Sequence, residues 1–180
     1  MSTILESRTV THSSGTFDVI GYKKDYDIFD GRIYPFKLYK LSISNGIGSN
    51  YEEEQQVLSY TSNGCPCEIV DRSGIHTVYI WGHSDRYLLA EIKNATLLQV
   101  QAASQSGSNI RDALPNSLVT TWTHSPMVGI TSQTDPSGVS TYYNYDSLGR
   151  LSEVYRYAGN VVSPSNKQIL KRYTYYTKTH

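Results

Sequence analysis

The chain has 180 residues, sixteen basic and sixteen acidic side chains, and sixteen tyrosines against three phenylalanines. This length predicts one domain, or one part of a longer array, that buries a core. A formal net charge of zero argues against a nucleic-acid-binding protein, because the basic surface that such proteins carry is missing.

Residues 1–54 are predicted to form a β-rich segment whose type no motif assigns. Apolar residues at strand spacing occupy 17–22 and 32–43, a turn is expected at Asp30-Gly31, and Pro35 restricts its strand to an edge or a bulge. The first residues lack the basic and apolar regions of a secretory signal, and no apolar run is long enough to span a bilayer. Any export signal of a longer parent protein is therefore expected outside this chain.

The next segment predicts a hairpin around Asn63-Gly64, the strongest short turn signal in the chain. The acidic run at 52–54 is interpreted as a solvated loop. Cys65 and Cys67 follow the turn at a spacing that does not complete a four-ligand zinc site, and a disulfide across one residue has poor geometry. Two ordinary thiols are expected, with redox or intermolecular chemistry as the alternative.

Two segments sixty-four residues apart share one pattern, an Asp-x-Ser-Gly turn followed by alternating aromatic residues and an arginine. A fixed offset of this kind is typical of repeat architectures. Asp and Gly supply the turn conformation, so the repeated residues have a structural explanation. They are Asp71, Gly74, Tyr79, Trp81 and Arg86 in the first copy, and Asp135, Gly138, Tyr143, Tyr145, Asp146, Gly149 and Arg150 in the second.

Between the two copies the hydrophobic period changes from that of a strand to that of a helix. A short helical insertion is predicted near 95–114, capped by Asn94, with Leu97, Leu98, Val100 and Ala102 on its apolar side and a break at 104–109. This apolar side is expected to cover an otherwise open sheet face.

In the second copy the strand period places Thr141, Tyr143 and Tyr145 on one face and Tyr142 on the other. The first three are expected to form cross-strand pairs, and Arg150 to pair with a carboxylate or stack on a tyrosine. The fold predicted is mainly β, with antiparallel hairpin repeats in one curved sheet and the short helical insertion.

Residues 143–151, Tyr-Asn-Tyr-Asp-Ser-Leu-Gly-Arg-Leu, followed by Glu153-Val154, resemble the YD repeat of RHS-type proteins. The first copy resembles a degenerate YD repeat, and the resemblance extends over residues 55–178. In that bacterial family many repeats spiral into a hollow shell that encloses a C-terminal toxin or other cargo. The resemblance therefore implies a non-enzymatic wall module of a secreted or cell-surface parent protein, including polymorphic toxins.

The partners implied are the rest of an RHS shell or a toxin or effector cargo, together with self-association through open sheet edges. A different class of function is a tyrosine-rich surface that binds a glycan or a protein. A third is an enzyme built on the first fifty residues and the cysteine pair. The sequence contains no nucleophile elbow or phosphate loop, and its histidines have no spacing of metal ligands, so we expect no catalytic residue, metal or cofactor.

Overall fold

The protein is a single antiparallel sheet in which every strand lies beside its neighbours in the chain. The computed structural model describes residues 5–13, 16–44 and 51–176, which contain twelve strands and two short α-helices. This open curved sheet confirms the predicted fold class. The strands are β1 Leu5–Ser13, β2 Thr16–Phe29, β3 Arg32–Ser44, β4 Glu52–Tyr60, β5 Pro66–Asp71, β6 His76–Gly82, β7 Tyr87–Lys93, β8 Leu118–Ser125, β9 Gly129–Thr134, β10 Ser140–Tyr145, β11 Leu151–Tyr157 and β12 Lys167–Arg172.

In the first segment the strands at 17–22 and 32–43 are confirmed as parts of β2 and β3, and Pro35 lies beside a β-bulge. The acidic run was wrongly predicted to be a loop, since it forms the start of β4. Its charges are accommodated on the sheet surface by cross-strand partners. The ammonium of Lys37 lies 2.7 Å from Glu53 Oε2, and the guanidinium of Arg72 lies 3.0 Å from Glu52 Oε2.

The hydrophobic core lies between the middle of the sheet and the helical insertion. Val78 on β6, Ile92 on β7 and Val119 on β8 are directly opposite one another in register and therefore point to the same face. Each is at most 2% exposed, because α1 (Leu97–Gln105) packs Val100 and Ala103 against them. The helical insertion covers the sheet as predicted, but through Leu97, Val100 and Ala103, whereas Ala102 of the predicted apolar side is exposed.

The start of the helix differs from the prediction. Thr96 is the N-cap and forms a capping box with Gln99, whereas Asn94 has a left-handed φ of 65° and its side-chain amide donates to Asn116 O at 2.9 Å. Leu98, which was also expected on the apolar side, points outward and is 75% exposed. After a break the short helix α2, Ile110–Ala113, completes the insertion. No helix among the described residues is long and apolar enough to cross a membrane.

A buried carboxylate fixes the beginning of α1 on the sheet. Glu68 on β5 accepts a hydrogen bond from the backbone amide of Leu97 at 3.2 Å, and its Oε1 lies 2.7 Å from His76 Nδ1. The first helical amides have no partner within the helix, so a carboxylate at this position satisfies one of them and interacts favourably with the helix dipole.

Candidate functional site

One five-residue loop occurs three times in the repeat segments, at residues 71–75, 135–139 and 146–150. In each loop the glycine amide donates to the aspartate carbonyl, and the aspartate amide donates to the carbonyl of the fifth residue. The aspartate Oδ1 in turn accepts from the amide of the fifth residue, at 3.0 Å from Ile75, 2.9 Å from Val139 and 3.0 Å from Arg150. Asp71, Asp135 and Asp146 are therefore occupied in closing turns.

The glycines of these loops are required by backbone conformation. Gly74, Gly138 and Gly149 have φ values of 77°, 82° and 74°, in the left-handed region that other L-residues avoid. A Cβ atom added at any of them would meet nothing within 4 Å, so space is not the constraint. These positions shape the chain and present no side chain to a ligand.

Arg150 is held by both of its predicted kinds of partner. Its Nε donates to Asp146 Oδ2 at 2.8 Å, and its guanidinium lies 4.3 Å from the centroid of the Tyr175 ring. The backbone amide of Arg150, followed by its side chain and the amide of Leu148, lowers the pKa of Asp146. The second copy thus closes its turn with a charged side chain that also reaches the residues after β12.

The first copy lacks this arrangement. Arg86 is exposed, and among the described residues its guanidinium has no ion pair. The preceding turn has left-handed φ values at three consecutive residues, His83, Ser84 and Asp85, where the second copy uses a single glycine. The indole of Trp81 donates to Pro66 O at 2.8 Å, and burial raises the pKa of the Tyr79 hydroxyl.

The tyrosine stacking of the second copy lies on the face opposite to the one predicted. Tyr143 is paired in register with Val154, and the Tyr145 hydroxyl donates to Ile130 O at 2.8 Å. The stacked pair is Tyr142 with Tyr155, whose ring centroids are 5.4 Å apart, and Tyr157 meets both rings edge-on. The register places these three rings, hereafter the tyrosine cluster, on the face that α1 covers further along the sheet.

The tyrosine cluster replaces the aliphatic core of the first copy. Tyr142 occupies the position of Val78, sixty-four residues earlier, and its cross-strand partner Tyr155 corresponds to Ile92. After β7 the chain forms α1, which buries Val78 and Ile92, whereas after β11 it forms two 3₁₀ turns, Ala158–Asn160 and Pro164–Asn166. Rings with a hydroxyl tolerate the partial exposure that the missing helix leaves.

Arg111 on α2 joins the helical insertion to the second copy, a role that no local pattern indicates. Its Nη1 donates to Val119 O at 2.6 Å and to Asp135 O at 2.9 Å, and its Nη2 donates to Thr134 O at 3.1 Å. One planar guanidinium therefore links α2, β8 and the turn that opens the second copy.

The cysteines and acidic groups form no metal centre within the part of the chain that is described. Cys65 and Cys67 are free thiols, and burial raises the pKa of Cys67, which keeps that thiol protonated at neutral pH. Glu153, which is buried on β11, is held by Lys167 and Arg172 of β12, and these hydrogen bonds lower its pKa. The buried charges of the second copy are thus paired.

Two of the three aspartate loops and the tyrosine cluster lie between the start of β9 and the end of β11. The part of the chain that is similar to a known protein family is the same one. Residues 129–162 match the family model of the RHS repeat. The chain contains an RHS repeat. The match begins at the first residue of β9 and ends among the turns after β11, so it includes both loops of the second copy.

Solved structures of Tc toxin components have a similar fold. The Photorhabdus luminescens Tc holotoxin pore has a TM-score of 0.54 and 13% identity over 89% of this chain. The TcdB2-TccC3-Cdc42 crystal structure has a TM-score of 0.52 and 14% identity over 88% of it. The present chain covers only 8% of each of those chains, and these identities establish the fold alone. No curated protein matches the chain.

Proposed function

We propose that this chain is a non-enzymatic wall module of an RHS-type protein, a stretch of β-shell that encloses or presents a toxin, effector or other cargo. The observation that carries the proposal is the strand order, because twelve strands joined in sequence form a continuous surface with two open edges. The repeated aspartate loops support the same function, since their polar groups are occupied in turns. The division at residues 1–54 and 55–180 remains a prediction.

The outer strand β12 is the edge through which such a wall would continue or self-associate. It is paired only with β11, and Gln168 to Arg172 are exposed, including Ile169 at 47% and Leu170 at 50%. An edge strand with unpaired backbone groups and apolar side chains is a template for another strand. The rest of the shell would supply that strand in the parent protein, and a second copy would supply it in isolation.

Sedimentation velocity over a range of protein concentrations tests this edge. The unmodified chain is expected to associate as concentration rises, and a variant carrying Ile169→Lys and Leu170→Lys is expected to remain monomeric, because charge on an edge strand prevents pairing. Leu98→Lys is the matched control, since Leu98 is 75% exposed and lies on α1, outside the edge strand β12. A chain that stays monomeric at all concentrations, or a control that behaves like the edge variant, would contradict the proposed wall contact.

The tyrosine cluster supports a second candidate, a module that binds a glycan or a partner protein. Three rings are exposed in part on a face that a helix buries elsewhere in the same sheet, and the Lys167 ammonium lies 4.1 Å from the centroid of the Tyr155 ring. Glycan-array binding that is lost on Tyr155→Leu would favour this function. Silence across a wide array, with no protein partner sensitive to the same substitution, would count against it.

A further inference from the structure

The strands β3 and β4 separate part-way along their length and leave a groove between them. In the described part of the chain, β3 pairs with β4 only from Lys37 to Lys40. Before Lys37 it pairs with β2, and after Gln56 the strand β4 pairs with β5. A groove of about 370 Å³ lies where the two strands separate. This volume falls in the range of small-molecule sites.

The floor of the groove lies on one face of the sheet. Lys24, Leu38 and Gln55 are opposite one another in register across β2, β3 and β4, so their side chains point to the same face. Val57 is two residues beyond Gln55 and shares that face, and its partner in register is Ile69 of β5. All five residues line the groove, whose centre is therefore aliphatic.

Aromatic rings close the far end of the groove. The Tyr60 hydroxyl donates to Pro35 O and so bridges β3 and β4 after they have separated. The Tyr34 ring is stacked on the Tyr60 ring with centroids 4.7 Å apart, and Phe29 meets Tyr60 edge-on at 5.1 Å. These contacts hold the Tyr60 ring before any ligand arrives, so binding costs little side-chain entropy.

The charge at the groove is positive. Its lining contains two lysines and no aspartate or glutamate. Lys37 precedes Leu38 and points to the other face, where its ammonium lies 2.7 Å from Glu53 Oε2. Lys24 is exposed beside Leu38 and forms no ion pair with any residue that the structure describes. Lys24 can therefore pair with an anionic group of a ligand.

The groove is elongated along β4. Its lining on this strand extends from Gln55 to Tyr60, which is about 17 Å at about 3.3 Å per residue. The free ammonium is at the Gln55 end, and the aromatic rings are at the other end. A long apolar chain with one anionic head group matches this distribution, whereas a compact anion would leave the apolar floor uncovered.

We propose that this groove binds a fatty acid of medium chain length, with its carboxylate at Lys24 and its chain over Val57. The proposal goes beyond the wall function, because it uses β2 to β5 and makes no use of β12. It also differs from the tyrosine-cluster candidate. Ile69 follows Glu68, which is bonded to α1, so the groove opens on the face opposite to α1 and the tyrosine cluster.

Titration with probes that share one alkyl chain tests the head group. Octanoate, octan-1-ol and octylammonium are added to the ¹⁵N-labelled full chain below their micelle concentrations, and amide NMR signals are followed. Octanoate should bind with about millimolar affinity or better and shift the signals of Leu38, Val57 and Ile69. Hexanoate should bind about tenfold more weakly, because it buries two fewer methylene groups. Octylammonium should bind more weakly than octanoate, because it meets a like charge.

The variant Lys24→Met keeps an unbranched side chain and removes the charge. It should weaken octanoate binding about three- to fivefold and leave octan-1-ol binding unchanged. Lys171→Met is the matched control, since Lys171 is exposed on β12 and forms no ion pair within the described residues. Tyr155→Leu should also leave the titration unchanged, because it alters the tyrosine cluster alone.

Three results would overturn the proposal. The first is no octanoate binding, or signal shifts confined to other strands. The second is octanoate binding that Lys24→Met retains in full. The third is equal affinity for octanoate, octan-1-ol and octylammonium, which would indicate a groove for any apolar chain, including the side chains of a peptide.

Discussion

Removing the Arg111 guanidinium should uncouple the helical insertion from the second copy of the repeat. The substitution Arg111→Met keeps an unbranched side chain of similar length and deletes the three hydrogen bonds to the carbonyl groups of Val119, Thr134 and Asp135. Those acceptors belong to β8, to the end of β9 and to the following turn. The loss is therefore expected to destabilise the whole region and not α2 alone.

The magnitude follows from the number and kind of these bonds. Hydrogen bonds from a charged donor contribute about 1.5–3 kcal/mol each when buried, and the half-buried position of Arg111 reduces this to about 1 kcal/mol each. The sum predicts a loss of about 3 kcal/mol in the free energy of unfolding, or about 6–12 °C in Tm for a chain of this size. Arg111→Lys should recover at most about half, because an ammonium group cannot span the same acceptors.

Urea unfolding monitored by circular dichroism measures this loss. Arg86→Met is the matched control, because Arg86 is an exposed arginine of the first copy and its loss should cost less than about 0.5 kcal/mol. Equal effects of the two substitutions, or a full rescue by Arg111→Lys, would refute the reasoning that the planar guanidinium joins these elements.

Three further predictions concern the left-handed backbone at two glycines and the loss of stability at acidic pH. Gly149→Ala should lower the free energy of unfolding in urea by about 1–2 kcal/mol through its left-handed φ alone. Gly149→Asn should lower it by less, because asparagine tolerates this conformation better. Equal losses in the two variants would contradict a purely conformational cause. Gly64→Ala should cost more than Gly149→Ala in the same assay, because its Cβ would lie 2.5 Å from the Tyr34 ring in addition to the left-handed φ of 86°. Burial and the nearby His83 lower the pKa of His124, whose Nδ1 is buried and has no hydrogen-bond partner among the residues that the structure describes. The folded state therefore disfavours the protonated imidazole, and stability should fall as pH drops below about 6.5, the ordinary histidine pKa. Thermal unfolding as a function of pH should show a weaker decline in His124→Gln, and an unchanged profile would exclude His124 as the source.

Local signals account for much of the fold. The aspartates and glycines of the repeat specify turns through their own side-chain and backbone chemistry, which requires no knowledge of distant residues. The helical insertion was found for the same reason, since its period differs from that of the strands. The start of the helix was missed because Asn94 is also a good N-cap, although Thr96 and Gln99 form a capping-box pattern that is present in the sequence. The contact of Asn94 with Asn116 accounts for its side chain in the folded protein.

The parts that could not be predicted depend on contacts between elements. Alternation correctly separated Tyr142 from Tyr143, yet which face carries the stacked rings depends on the register with β11 and on the position of α1. Arg111 has no local signature, because its acceptors are backbone carbonyls on strands that come together only in the folded sheet.

The match between strand order and chain order affects how the protein is made. Each strand finds its partner in the segment synthesised just before it, so, apart from the insertion at 94–117, the loops that must close are short. The sheet can therefore lengthen at one edge as the polypeptide leaves the ribosome, without waiting for its last residues. Growth by addition at an edge would let an array of such units reach any length by the same sequence of steps.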